Sequence, residues 1–106
     1  MLTKDQITGL LETNDRAIGR ALLVLLSNQT LDEQIGETVK YHNGKGFRPC
    51  HGRVGTSMAN FFQQRGFLTE KQIAYWRRPD KNGTMRIAIY WRQLAEAAEK
   101  KAASAA

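Results

Sequence analysis

The chain has 106 residues, with 16 Lys plus Arg against 10 Asp plus Glu, a net charge of +6 and a hydrophobic share of 42%. That length suits one domain, and that apolar content is too high for a wholly disordered chain. The single cysteine excludes an internal disulfide. The longest apolar run, the six residues Ala21 to Leu26, is far below the roughly 20 that a membrane span needs. No basic segment followed by an apolar one opens the chain, so no secretory signal is expected and a cytoplasmic setting is.

Thr3-Lys4-Asp5-Gln6 has the spacing of a capping box, and Ile7, Leu10 and Leu11 follow at helical intervals, which predicts a first helix ending near Thr13. Asn14-Asp15 offers a second N-cap. Ile18, Ala21, Leu22, Leu25 and Leu26 then form an apolar stripe. Asn28-Gln29 breaks that stripe, and Thr30-Leu31-Asp32-Glu33 predicts a short third helix stopping at Gly36. Thr38–Tyr41 reads as a brief extended piece and 42–50 as a loop with defined turns, because it combines Gly44, Gly46 and Pro49 with the anchors Tyr41 and Phe47.

A helix resumes at His51, with Val54, Met58, Phe61 and Phe62 on one face and Gly55 and Ala59 beside them, where another backbone could approach. Gly66 suits a left-handed helix end, with Phe67 and Leu68 as contacts for the turn. Thr69-Glu70-Lys71-Gln72 starts the next helix, which Pro79 stops. Asp80–Gly83 is a turn. Thr84 is expected to cap a last helix carrying Ile87, Tyr90, Trp91, Leu94 and Ala98, and the rival for Arg86–Trp91 is a hairpin strand folded about Asn82-Gly83. Ala102 to Ala106 is expected to fray. The fold class is therefore all-α. It comprises a single domain over 1–106, with a helical hairpin in 1–39, a basic helix-turn-helix-like module in 40–101 and the tail 102–106.

Charge is segregated. Residues 1–39 hold three cations against six acids, a net −3, whereas 40–106 hold thirteen against four, a net +9. A positive field of that size attracts polyanions. Two segments concentrate candidate contacts. In the glycine loop, Lys40, Lys45 and Arg48 supply charge and Tyr41 a flat face, while Phe47 either joins them or plugs the core. In the helix pair around Gly66, Arg53, Lys71, Arg77 and Arg78 suit phosphates, and Gln72 and Tyr75 suit base edges or stacking. In the aromatic pairs Tyr75-Trp76 and Tyr90-Trp91, the tryptophans are the expected buried members, leaving Tyr75 to a partner. The loop is not a Walker motif, since Gly44-Lys45 runs into Gly46. His42, Cys50 and His51 match no common zinc spacing, and neither a Cys-His pair with an orienting third group nor a His-Asn-His nuclease scaffold is present. No paired carboxylates stand in the basic region to hold magnesium. Catalytic residues, metals and cofactors are therefore not expected, and the chain reads as a non-enzyme.

The combination Asn43, Gly46-Phe47, Gly55, Ser57-Met58-Ala59, Leu68-Thr69-Glu70-Lys71-Gln72 and Tyr90 followed by Gln93-Leu94 resembles a small module of phage, prophage and plasmid proteins of DNA metabolism. That module is found alone or appended to helicase-like chains. His51 stands where its pattern usually has Asp, and Met58 where it has Leu. The resemblance covers about half of the chain and implies association with mobile elements and with nucleic acid, DNA in preference to RNA.

These readings lead to a nucleic-acid-binding accessory protein of a phage or plasmid in the host cytoplasm, with no membrane role. The alternative is an anti-CRISPR-like inhibitor of a host defence complex that binds protein through the same residues. A third option is a regulator dimerising through Leu22, Leu25 and Leu26. Oligomeric state stays open. The polyanion reading depends on distant cations converging on one face when the chain folds.

Overall fold

The computed structural model describes residues 2–35, 46–48 and 51–105. Among them the protein is all-α: α1 (Lys4–Thr13), α2 (Asp15–Ile35), α3 (Gly52–Arg65), α4 (Glu70–Arg77) and α5 (Trp91–Ala105), with a 3-10 turn over Arg86–Tyr90 leading into α5. None of the described helices is long and apolar enough to cross a membrane.

The first two helices share one residue as their joint. Thr3 and Gln6 close the predicted capping box at the start of α1. At its end, the Asn14 N–H donates to the Leu10 carbonyl, and the Asn14 side-chain oxygen accepts from the Arg16 and Ala17 N–H groups that open α2. Ile7 and Leu11 of α1 are buried, as are Ile18, Ala21, Leu22 and Leu25 of α2. The burial of Leu22 and Leu25 withdraws both from any dimer surface, because they fill this chain's own core.

The expected break at Asn28-Gln29 does not occur, and neither does a separate helix beginning at Thr30; α2 runs unbroken to Ile35. The two amides that look like a loop signal are engaged with other parts of the fold. Asn28 Nδ2 donates to Gln93 Oε1 at 2.9 Å, and Gln29 Nε2 lies 3.5 Å from Thr56 Oγ1. Polar side chains with such partners no longer compete for their own backbone.

α2 packs against α3 through missing side chains. A Cβ at Gly19 would lie 2.3 Å from the Phe62 ring. Gly55 and Ala59 are the buried residues of α3, while Val54, Met58, Phe61 and Phe62 are only half-buried. What approaches Gly55 is not a backbone but the Phe47 ring, 2.4 Å from where a Cβ would be. Gly66 ends α3 with φ +78° and donates its N–H to the Phe62 carbonyl. Leu68 is buried behind the turn, but Phe67 is 55% exposed, its ring edge-to-face with Phe61. Thr69 and Gln72 form a capping box at the predicted start of α4, which buries Ile73 and Trp76.

Beyond α4 both rival readings hold in part. The chain turns at Gly83, and Pro79 pairs with Met85 in an isolated antiparallel bridge. The Asp80 carboxylate accepts from the Asn82 and Thr84 N–H groups, so Thr84 is consumed by the turn and caps no helix. The 3-10 turn follows and buries Ile87, Ala88 and Tyr90. Its tighter winding changes the phase of the stripe, so Tyr90, at 3% exposure, is the buried member of its pair and Trp91 is half-buried. α5 continues to Ala105, into the alanine-rich tail.

Candidate nucleic-acid interface

Residues 46–48 form a short strut held at every position. Gly46 has φ +84°, a conformation that L side chains resist, and a Cβ there would sit 2.6 Å from Gln29 Cβ. The Gly46 N–H donates to Gln93 Oε1 at 2.7 Å, and Gln93 Nε2 donates back to the Gly46 carbonyl at 3.1 Å. Phe47 is buried, with its ring 6.0 Å from Trp76 and edge-on to Tyr90 at 6.1 Å. It is the core plug, not a stacking platform. The Arg48 N–H donates to the Tyr90 hydroxyl at 3.0 Å, and the Arg48 carbonyl accepts from the His51 N–H at 2.8 Å. The Arg48 backbone is thus fixed while its side chain stands exposed.

His51, at the N-cap of α3, joins the same cluster. Its ring meets Trp76 and Tyr90 edge-on, and Nδ1 lies 2.6 Å from the Tyr90 hydroxyl. A neutral ring can accept a hydrogen bond from the hydroxyl at Nδ1. Burial, then the Arg86 and Arg48 guanidiniums, pull the His51 pKa below its ordinary 6.5. Two cations from separate segments therefore converge near one imidazole. Neither His51 nor Arg86 stands out in the sequence as a contact; Arg86 is hidden in an apolar run, and only its position beside the aromatic pairs hints at it.

Arg86 also disposes of Tyr75. Its guanidinium lies 3.8 Å from the centre of the Tyr75 ring, and Nη1 donates to the Tyr75 carbonyl at 2.8 Å. The Trp76 ring sits edge-on to Tyr75 at 5.1 Å. The ring expected to be left to a partner is thus half-buried with one face covered. The Arg86 N–H donates to the Arg78 carbonyl, so Arg78 and Arg86 are backbone neighbours.

The remaining candidates divide. Lys71 and Ala74 are exposed on α4 and Arg78 just past its end, and Arg53 is exposed in the first turn of α3. The Gln72 side-chain oxygen is occupied by the Thr69 N–H in the capping box, which removes its acceptor from base reading. Arg77 points inward: Nε donates to the Leu11 carbonyl at 2.9 Å, and Nη2 pairs with Asp15 at 2.8 Å, an ion contact too poorly aligned to be a hydrogen bond. It ties α4 to the acidic leading helices instead of facing a phosphate. Asp15 and Glu70 line the same depression as Arg77 and Arg78, so the charge there is mixed. Lys40, Tyr41 and Lys45 lie outside the described residues, as do His42, Cys50 and Asn43. Among the described residues no three His, Cys, Asp or Glu side chains gather to hold a metal.

Several residues of the motif pattern acquire a mechanical meaning here. Gly46, Phe47, Gly55, Tyr90 and Gln93 are the parts that lock the strut, and Leu68 to Gln72 shape the second turn. No protein-family model, curated protein or solved structure matches the chain.

Proposed function

We propose that this chain is a non-enzymatic nucleic-acid-binding accessory protein, of the phage or plasmid kind that its motif suggests, working on DNA in the host cytoplasm. One observation carries the reading: an exposed arginine, Arg48, rides on a backbone immobilised by Tyr90 and His51. Preorganised cations bind phosphate without having to order a loop first. Arg53, Arg78 and Lys71 are exposed as well and supply further positive charge. The Gln72 oxygen and one Tyr75 face are already occupied, so the recognition is of backbone phosphate, tolerant of sequence.

The test is a titration of fluorescent single- and double-stranded DNA over a range of salt. Binding should weaken steeply with salt, with a slope of about −0.9 per phosphate neutralised on duplex. Arg48→Ala should lower that slope by about 1 on every sequence. Absence of binding at low salt, or binding indifferent to salt, overturns the reading.

A further inference from the structure

Among the described residues, a trough of about 440 Å³ runs where α1, α2 and α5 meet. Buried Ile7, Leu11, Ala21 and Leu94 form its base, and the small side chains of Ala97 and Ala98 keep the α5 side low. Leu10 stands at its edge, 47% exposed. Only two charged residues line it, and both are cations, Arg20 and Lys101. None of Arg48, Arg53, Lys71, Arg78 and Arg86 lines it.

An exposed apolar depression with a polar edge marks a binding surface. Its shape and charge select the occupant. Pockets for small molecules enclose most of their ligand, whereas Leu10, Arg20 and Lys101 of this trough stand exposed to solvent. A depression bounded by helices and kept low on one side by alanines accepts a further helix closely, with apolar side chains at i, i+3, i+4 and i+7 as anchors. The two cations call for acidic residues flanking those anchors. A second copy of this chain fits poorly, because its net charge of +6 opposes self-association and Ile7 and Leu11 of its own acidic α1 are already buried.

We propose that this trough docks an acidic amphipathic helix of a partner protein, with Arg20 and Lys101 meeting the acidic flanks. The protein then holds nucleic acid on one surface and a partner's helix on another, as an adaptor.

The experiment is selection of a displayed library of helical peptides on the full chain, followed by solution titration of the enriched peptides. Enriched sequences should carry apolar anchors at helical spacing with Asp or Glu beside them. Leu10→Asp, and separately Arg20→Glu with Lys101→Glu, should weaken their binding by about tenfold or more. Because these side chains are exposed, the thermal melt should not move. Selection that enriches nothing, enriches basic flanks, or yields peptides indifferent to Leu10→Asp overturns the proposal. So does stoichiometric binding of oleate that the peptides do not compete with, which assigns the trough to a lipid. A dimer in sedimentation that Leu10→Asp dissolves assigns it to a second copy. None of these measurements contains nucleic acid, so they fail separately from the DNA reading.

Discussion

Gln93 grips Gly46 by both of its backbone polar groups, accepting from the N–H and donating to the carbonyl. The same amide oxygen accepts from Asn28. Replacing Gln93 with Met keeps the volume and deletes the grip, leaving half-buried groups without their partner. The expected loss is about 1–3 kcal/mol in urea denaturation, together with weaker DNA binding because Arg48 loses its rigid mount. Unchanged DNA affinity at retained fold would show that the mount does not matter.

Two glycines with positive φ separate strain from space. Gly66→Ala, at φ +78° and facing open solvent, should cost only the backbone strain, about 1 kcal/mol. Gly46→Ala, at φ +84°, adds a clash with the Gln29 backbone 2.7 Å away and should cost at least about 1 kcal/mol more. Equal melting shifts for the two variants would contradict the packing described for the strut.

The Phe47 ring occupies the space of an absent side chain at Gly55. Gly55→Ala alone should destabilise by about 1–3 kcal/mol, and Phe47→Leu alone should also destabilise by leaving a void. Combined, the smaller ring substitute makes room for the methyl, so the double variant should be more stable than the sum of the singles by at least about 0.5 kcal/mol. Additive costs in a double-mutant cycle would mean that the two sites are not in contact.

His51 gives the fold a pH dependence of defined sign. Its folded pKa lies below the 6.5 of the unfolded chain, so the unfolded state binds the proton more readily. The stability this group supports is complete above pH 6.5 and is lost as the pH falls from there toward the folded pKa. His51→Gln should flatten that part of the profile. A polyanion on Arg48 and Arg86 offsets their charge, so DNA should raise the His51 pKa and binding should take up a proton. An NMR titration of the His51 ring with and without DNA reads this directly, and a pKa unmoved by saturating DNA places the polyanion elsewhere.

The neighbouring arginines at the end of α4 should behave oppositely. Arg77→Met removes a hydrogen bond to α1 and an ion pair with exposed Asp15, a loss of about 1–2 kcal/mol that comes mainly from the carbonyl contact. DNA affinity of the folded variant should stay within about twofold. Arg78→Ala should leave stability within about 0.5 kcal/mol and lower the salt slope by about 1. Swapped outcomes would reverse the roles assigned to the pair.

The helix starts at Thr3, Asn14 and Thr69 and the stop at Gly66 were legible because caps are local chemistry, decided within four residues. The passage through Asn28 and Gln29 was not, because what keeps those amides in a helix is Gln93 and Thr56, far along the chain. Tyr90 was missed as a buried residue because one helical period was assumed through a segment that begins as a 3-10 turn. At the site, the excess of basic charge was visible but its pairing was not. Arg77 and Arg78 are the same residue type side by side, and only the fold shows that one faces Leu11 and Asp15 while the other faces solvent.

The amide of Gln93 reaches back 47 residues to Gly46 and 65 to Asn28. A chain emerging from the ribosome releases its capped helices first, and each can begin to coil as it appears. The strut cannot close until the last helix has started to emerge. Contacts of such long sequence separation form only after the intervening chain has surrendered its freedom. Arg48 is made early and mounted late, so a growing chain is long without the rigid arginine that its completed form displays.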